Sequence, residues 1–176
     1  MSDARRRFES EVLPHLDSAY RFARWLSPVP GHADDVVQDA MLRAFRGFDA
    51  FRGDDPRAWL FAIVRNCNLT ALSQQRRRAH EPLPDESDDE AMHFLAAEPG
   101  PETDAMQRDD QRTIDRLIAA LPEKYREVLV LREIEELDYR DIATVANVPI
   151  GTVMSRLARA RAALRQAWKR TLEETA

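Results

Sequence analysis

The stretch VPIGTVMSRLARARAALRQAWKR, residues 148–170, holds six arginines and lysines and no acid, in a chain whose net charge is −5. At 100° per residue, Val153, Leu157, Ala160 and Leu164 fall within about 60° of one another and form a stripe to be buried. Thr152, Ser155 and Arg159 then lie on the opposite face, with Arg156 on one flank and Met154 and Arg161 on the other. Just upstream, DYRDIATVANVP predicts a short helix that starts at an acidic capping box, Asp138 with Asp141. It presents a small residue, Ala143, to the next element and breaks at Asn147, a residue that tolerates the left-handed conformation. Two helices joined by such a turn, the second carrying hydroxyl and guanidinium groups outward, make a helix-turn-helix whose second helix can enter a major groove. Arginine takes guanine O6 and N7 bidentately, and its neighbours can hold phosphates. A solvated basic surface helix is the plain alternative, and the lack of any acid to pair with argues against it.

Further helices are expected at about 103–120 and 122–134, ahead of those at 138–146 and 149–172. Thr103 and Asp104 are candidate N-caps, and Pro122 follows Leu121 as a helix starter. Before them, residues 79–110 carry 11 acids and one base, against 10 and 13 in residues 1–78 and 10 and 12 in residues 111–176. With four prolines, a glycine and few large apolar side chains, this stretch cannot bury enough surface to offset its ordering entropy. It predicts a linker. In the free protein its charge is expected to cover the arginine helix.

In the N-terminal part, Val12, Leu16, Ala19, Ala23 and Leu26 recur at helical steps and predict one amphipathic helix. A second is expected over about residues 34–48, with Val37, Met41, Ala44 and Phe48 on one face. A third begins where Asp55 can cap and Pro56 fits the first turn, with the apolar line Leu60, Val64, Cys67 and Ala71. Trp59, Asn66, Thr70, Ser73 and Arg77 share another line of that helix, which ends in Arg76, Arg77 and Arg78. An aromatic, an amide, hydroxyls and a guanidinium on one line suit single-stranded nucleic acid, where a ring stacks on bases and an amide reads an exposed edge. The competing view is that Trp59 is core and the rest a wet face. The loop FDAFRGDDP before it could enclose an extruded base, with Phe51 as apolar wall and Asp54 bonding the base edge.

No segment shows sustained period-two alternation, so the fold class is all-α: two small helical domains, 1–78 and 103–176, joined by an acidic flexible linker, 79–102. One cysteine leaves no disulfide framework, and Cys67 sits on a buried line. The four histidines, at 15, 32, 80 and 93, are scattered and no glycine-rich phosphate loop is present, so no catalytic residue, metal or cofactor is expected. The opening MSDARRRFESEV is charged with no apolar run behind it, which predicts a cytoplasmic protein without membrane insertion.

The segment DDVVQDAMLRAFRGFDAFRGDDPRAWLFAIVRNCNLTALSQQRRR resembles region two of RNA polymerase sigma factors of the extracytoplasmic-function (ECF) group. LPEKYREVLVLREIEELDYRDIATVANVPIGTVMSRLARARAAL resembles their region four. The resemblance implies a sigma factor that joins core RNA polymerase, through the clamp helices of the largest subunit and the flap of the second-largest, and directs it to promoter DNA. Region four would read the minus-thirty-five duplex through Thr152, Ser155, Arg156, Arg159 and Arg161. Region two would melt and capture the minus-ten strand through Phe51, Arg52, Gly53, Asp54, Trp59, Asn66, Thr70, Ser73, Arg76 and Arg77. Asp34, Asp35, Val37, Gln38 and Met41 match the surface that grips the clamp, and many relatives are held by an anti-sigma factor. Two departures stand out. Met154 replaces a frequent base, and Glu136 replaces a frequent glycine, which argues for a slightly different turn. A stand-alone helix-turn-helix regulator binding duplex DNA as a dimer is the alternative; it leaves the Trp59–Arg77 line without a task.

Overall fold

Asp55 and Pro56 start the longest N-terminal helix as the sequence predicts: Asp55 Oδ1 accepts from the amides of Arg57 and Ala58 at 2.8 and 3.2 Å. The computed structural model describes residues 3–27, 29–53, 55–79 and 106–175. Helices α1 (Asp3–Glu11), α2 (Leu16–Leu26), α3 (His32–Gly47) and α4 (Pro56–Ala79) form the N-terminal module. Helices α5 (Met106–Ala119), α6 (Glu123–Leu129), α7 (Tyr139–Ala146) and α8 (Ile150–Thr175) form the C-terminal one. Among the described residues there is no strand. The expected linker and the Thr103 and Asp104 caps lie mostly outside the described residues, as do His80 and His93.

The single amphipathic helix expected around residues 12–26 is instead two elements. Pro14 has no amide hydrogen to continue a helical ladder, so the chain leaves α1, makes a 3-10 turn over Leu13–His15 and restarts as α2. Leu16, expected on the buried face, is exposed. Helix α1 itself escaped the pattern because its charges outnumber its apolar positions. Its one large anchor, Phe8, packs edge-on against Phe45 and Phe48, with centroids 5.3 and 5.5 Å away.

Val12, Phe22, Leu26, Val36, Leu60, Phe61 and Val64 are buried in the N-terminal module and Leu121, Val128, Leu131, Ile142, Val153 and Leu157 in the C-terminal one, and the two sets join in one apolar core. Helix α6 runs on into a π turn, Val130–Ile134, and Glu136 closes it in the left-handed conformation at φ 54°. The Leu137 amide there bonds the Leu131 carbonyl at 3.0 Å, satisfying one of the orphaned acceptors. Glu136 thus adopts the backbone that a glycine would adopt, so the anticipated change of turn is replaced by a strained side chain in a left-handed closure. Asp138 caps α7 by accepting from the Asp141 amide at 2.8 Å, and Asn147 ends it at φ 53°, both as predicted. The two modules touch directly: α7 lies along α4, and α6 lies against α2.

Candidate nucleic-acid interface

Helix α8 is held by the stripe that its period predicts. Val153, Leu157 and Ala160 are buried, while Ser155 and Arg159 face solvent and Thr152 and Arg156 are half-buried at the edge. The turn Asn147–Val148 sets its entry angle, because the amides of Asn147 and Val148 bond the carbonyls of Thr144 and Ala143 at 3.3 and 3.1 Å. Ser155 Oγ donates to the Thr152 carbonyl at 3.0 Å, which leaves its lone pairs outward. Arg159 Nη1 approaches the Tyr125 hydroxyl at 3.5 Å. Arg161 is different. Its Nε and Nη2 both donate to Glu133 Oε1, at 3.0 and 2.5 Å, and the bond to Glu133 raises its already high pKa. Arg161 thus meets solvent as one half of an ion pair with Glu133 across the turn.

In the N-terminal module a cavity of about 340 Å³ opens between α3 and α4, lined by Arg43, Gly47, Ala50, Phe51, Trp59, Ile63 and Asn66. Phe51 and Trp59 lie against each other, ring centroids 4.7 Å apart, and both pack on Phe48 at 6.1 Å. Trp59 is half-buried, so it serves the core and the cavity at once. Arg52 folds back on its loop, with Nη1 donating to the carbonyls of Asp49 and Phe51 at 2.6 and 2.9 Å. Gly53 is needed for close approach: a Cβ there would meet the Phe51 ring at 2.7 Å. Asp54 lies outside the described residues. Asn66 and Thr70 are exposed, with Thr70 Oγ1 donating to the Asn66 carbonyl at 2.8 Å. Arg77 is exposed farther along, and Ser73 and Arg76 are half-buried. Sequence reasoning missed Arg43 as a cavity residue. It sits in the last turns of α3, where the helix dipole alone accounts for a base, and Asp39 holds it at 2.9 Å.

On the outer face of α3, Asp34, Asp35 and Gln38 are exposed and Met41 is half-buried. Val37 does not belong with them. It is only 6% exposed and packs in the core, because it shares a helix face with the buried Ala33, Ala40 and Ala44. The outer face instead shows Leu42 and Phe45, 51% and 53% exposed, which no residue of the predicted set anticipates. Their spacing of three puts Leu42 and Phe45 on one helix face with Gln38 and Met41, and that shared face is the signal that could have found them.

Residues 12–78 match the Sigma-70 region 2 family and residues 111–164 match Sigma-70, region 4. The RNA polymerase sigma-H factor of Pseudomonas aeruginosa is 40% identical over 147 residues, which cover 81% of this chain and 76% of that one. The ECF RNA polymerase sigma-E factor of Escherichia coli is 36% identical over 143 residues, 76% of this chain and 72% of that one. The chain belongs to the ECF RNA polymerase sigma factors. As a sigma factor it binds core RNA polymerase and promoter DNA and directs promoter-specific initiation. Two solved structures share its fold. The sigma factor RpoE of Bartonella quintana, crystallised with the anti-sigma factor NepR, matches with TM-score 0.72 at 28% identity, covering 92% of this chain and 96% of that one. CnrH, in complex with the cytosolic domain of CnrY, matches with TM-score 0.64 at 27% identity, covering 94% and 89%.

For a sigma factor, Cys67 and His32 read as scaffold. Burial, and then a bond to Asp39, push the Cys67 thiol up to about 11, so it stays protonated and packs as a small apolar group. His32 Nε2 lies 2.8 Å from the buried Asn68 Oδ1 and ties the start of α3 to α4. Among the described residues no three metal-ligating side chains come together, and no helix is long and apolar enough to cross a membrane.

Proposed function

We propose that the two modules, bounded at 1–78 and 103–176 with an acidic tether at 79–102, divide one promoter between them in the cytoplasm. The α8 face of Thr152, Ser155, Arg156 and Arg159 reads the minus-thirty-five element as intact duplex. The cavity between α3 and α4 receives an unstacked base of the minus-ten non-template strand, with Phe51 and Trp59 as its apolar wall and Asn66 at its edge. That aromatic cavity beside an exposed amide is the observation that carries the reading, since duplex recognition requires no such ring. Melting then needs no enzymatic step: capturing a flipped base shifts an equilibrium that is only a few kcal/mol uphill. The acidic and apolar face of α3, Asp34, Asp35, Gln38, Met41, Leu42 and Phe45, grips the clamp helices of the largest polymerase subunit, and the C-terminal module takes the flap of the second-largest. The similar sigma factor RpoE is bound to the anti-sigma factor NepR, which supports an anti-sigma factor for this chain too.

The test is transcription with purified core polymerase on promoter DNA, with permanganate reactivity reporting melted bases. Asn66→Ala is expected to lower open-complex signal about tenfold, the loss of one base contact, while polymerase binding stays unchanged. Equal loss of both would make Asn66 a scaffold residue and sink the assignment.

A further inference from the structure

The solvent-facing side of the first turns of α8 is made by Ile150, Gly151, Met154, Ser155, Ala158 and Arg159, all exposed. Three of these carry apolar side chains, and they are not scattered. Ile150, Met154 and Ala158 recur at steps of four, so they stand one above another in a line that runs beside Ser155 and Arg159. Ile150 is 39% and Met154 51% exposed, and neither joins the side chains packed against the core. Folding therefore gives no reason for large apolar groups there. Nor does it ask for Gly151: a Cβ at that position would meet nothing within 4 Å, and a glycine weakens the helix that carries it. Thr152 and Arg156, both half-buried, mark the opposite edge of the face with hydroxyl and guanidinium. One edge of a cationic helix has thus been left without charge where it would meet a polyanion.

Resting on the reading above that this face of α8 enters the major groove of the minus-thirty-five duplex, we propose that Met154, with Ile150 and Ala158 on its line, reads the 5-methyl group of thymine there. Thymine is the one base that presents a methyl group in the major groove, and an uncharged apolar side chain matches it where a guanidinium or amide does not. The residues that reach base edges lie at the N-terminal end of a groove-entering helix, and Ile150 and Met154 lie in the first two turns of α8. Methionine is unbranched and polarisable, so its end can follow a methyl group without a fixed socket. Gly151 and Ala158 are small, and they leave room on either side of Met154 for base pairs to come close. The two edges of the face then divide the readout by chemistry. Ser155 and Arg159 answer hydrogen-bonding atoms and phosphates, while the apolar line answers methyl groups. Promoters of this sigma factor should accordingly carry a thymine at a fixed place in the upstream element. Met154 itself displaces no counterion, so its contact should be independent of salt.

The experiment uses the full chain bound to core polymerase. This holoenzyme first selects its minus-thirty-five element from a randomised duplex library. Each thymine of the selected element is then replaced singly by deoxyuridine, which removes the methyl group and leaves every hydrogen-bonding atom in place. Competition binding in the cold, before the strands part, is the readout. At one or two positions the replacement is expected to weaken wild-type binding about fourfold, the effect of burying one methyl group. Met154→Ala should lower affinity for the thymine duplex by a similar factor and no longer distinguish it from deoxyuridine. Met154→Lys suits an exposed helix position equally well. It should also lose the methyl preference, yet steepen the fall of log K with log salt by about 0.9, one added phosphate contact. That pair of outcomes separates a lost contact from a misfolded helix. A selected element with no thymine, or deoxyuridine replacements that leave wild-type binding unchanged at every position, overturns the proposal. So does a methyl preference that Met154→Ala retains in full. Arg159→Ala on the same duplex is scored separately. If it leaves affinity unchanged, the assignment of α8 as reader fails, whereas dependence on Arg159 without dependence on the methyl group sinks the thymine contact alone.

Discussion

The reading surface proposed for the C-terminal module is one convex helix face, whereas the one proposed for the N-terminal module is a cavity made by two helices and a loop. The first needs a single helix to be set at the right angle, and two backbone hydrogen bonds at Asn147 and Val148 do that. The second needs Phe51 from the loop, Gly47 from the end of α3 and Trp59 and Asn66 from α4 to arrive together. Duplex DNA presents its base edges outward, so a protruding helix suffices. An unstacked base must be enclosed, and enclosure takes several segments. The convex reader should accordingly depend on what seats its helix, and the concave one on the rings that wall it.

The largest expected effect breaks the convex reader from behind. Leu157→Ala empties a fully packed site under α8 and should cost about 3 kcal/mol, seen as a lower urea midpoint, with duplex binding lost in step. If duplex binding survives unchanged, α8 is not the reader. Next comes a crossed pair. Trp59→Ala should weaken capture of single-stranded minus-ten DNA by about 1–3 kcal/mol and leave minus-thirty-five duplex binding alone. Arg159→Ala should do the reverse, by a similar amount. Fluorescence anisotropy with the two DNA fragments checks both, and matched losses in either variant would erase the division of labour.

A smaller effect tests the turn that aims the helix-turn-helix. Glu136 holds a left-handed backbone at a cost of about 1 kcal/mol, so Glu136→Gly should raise thermal stability by about that amount. A fall in stability would mean that the Glu136 side chain contributes more than its backbone strain removes. The smallest effect sharpens the edge of the convex face. Arg161 is pinned by Glu133, so Arg161→Ala should change duplex affinity by under about 0.5 kcal/mol while Arg159→Ala does not spare it. An equal loss would return Arg161 to the contact set.

These contrasts also explain what could be read in advance. The α8 face was legible because a helix's own period places Val153, Leu157 and Ala160 together and Ser155 and Arg159 opposite, whatever else the chain does. The same holds for the Asp55 and Asp138 caps and the Asn147 turn, which are local. The pairing of Arg161 with Glu133 was not legible, because the two lie 28 residues apart and no local pattern pairs them. The burial of Val37 was not anticipated because a motif match carries position but not orientation. Arg43, Leu42 and Phe45 went unnoticed for related reasons: a basic residue near a helix end has an ordinary explanation, and exposure is decided by which neighbours pack alongside.

By itself the sequence determined the all-α class, the helix-turn-helix and the candidate single-strand line, since each follows from steric and hydrogen-bonding rules acting within a few turns of chain. Only the tertiary structure decided that Trp59 and Phe51 share a cavity, that α1 and α2 are separate helices bridged by a turn at Pro14, and that Glu127 and Glu135 meet arginines of the other module. The physical reason is range. Helix periodicity and capping act over at most about four residues, whereas Arg21 and Glu135 stand 114 residues apart and are brought within 2.6 Å only when two whole modules settle against each other.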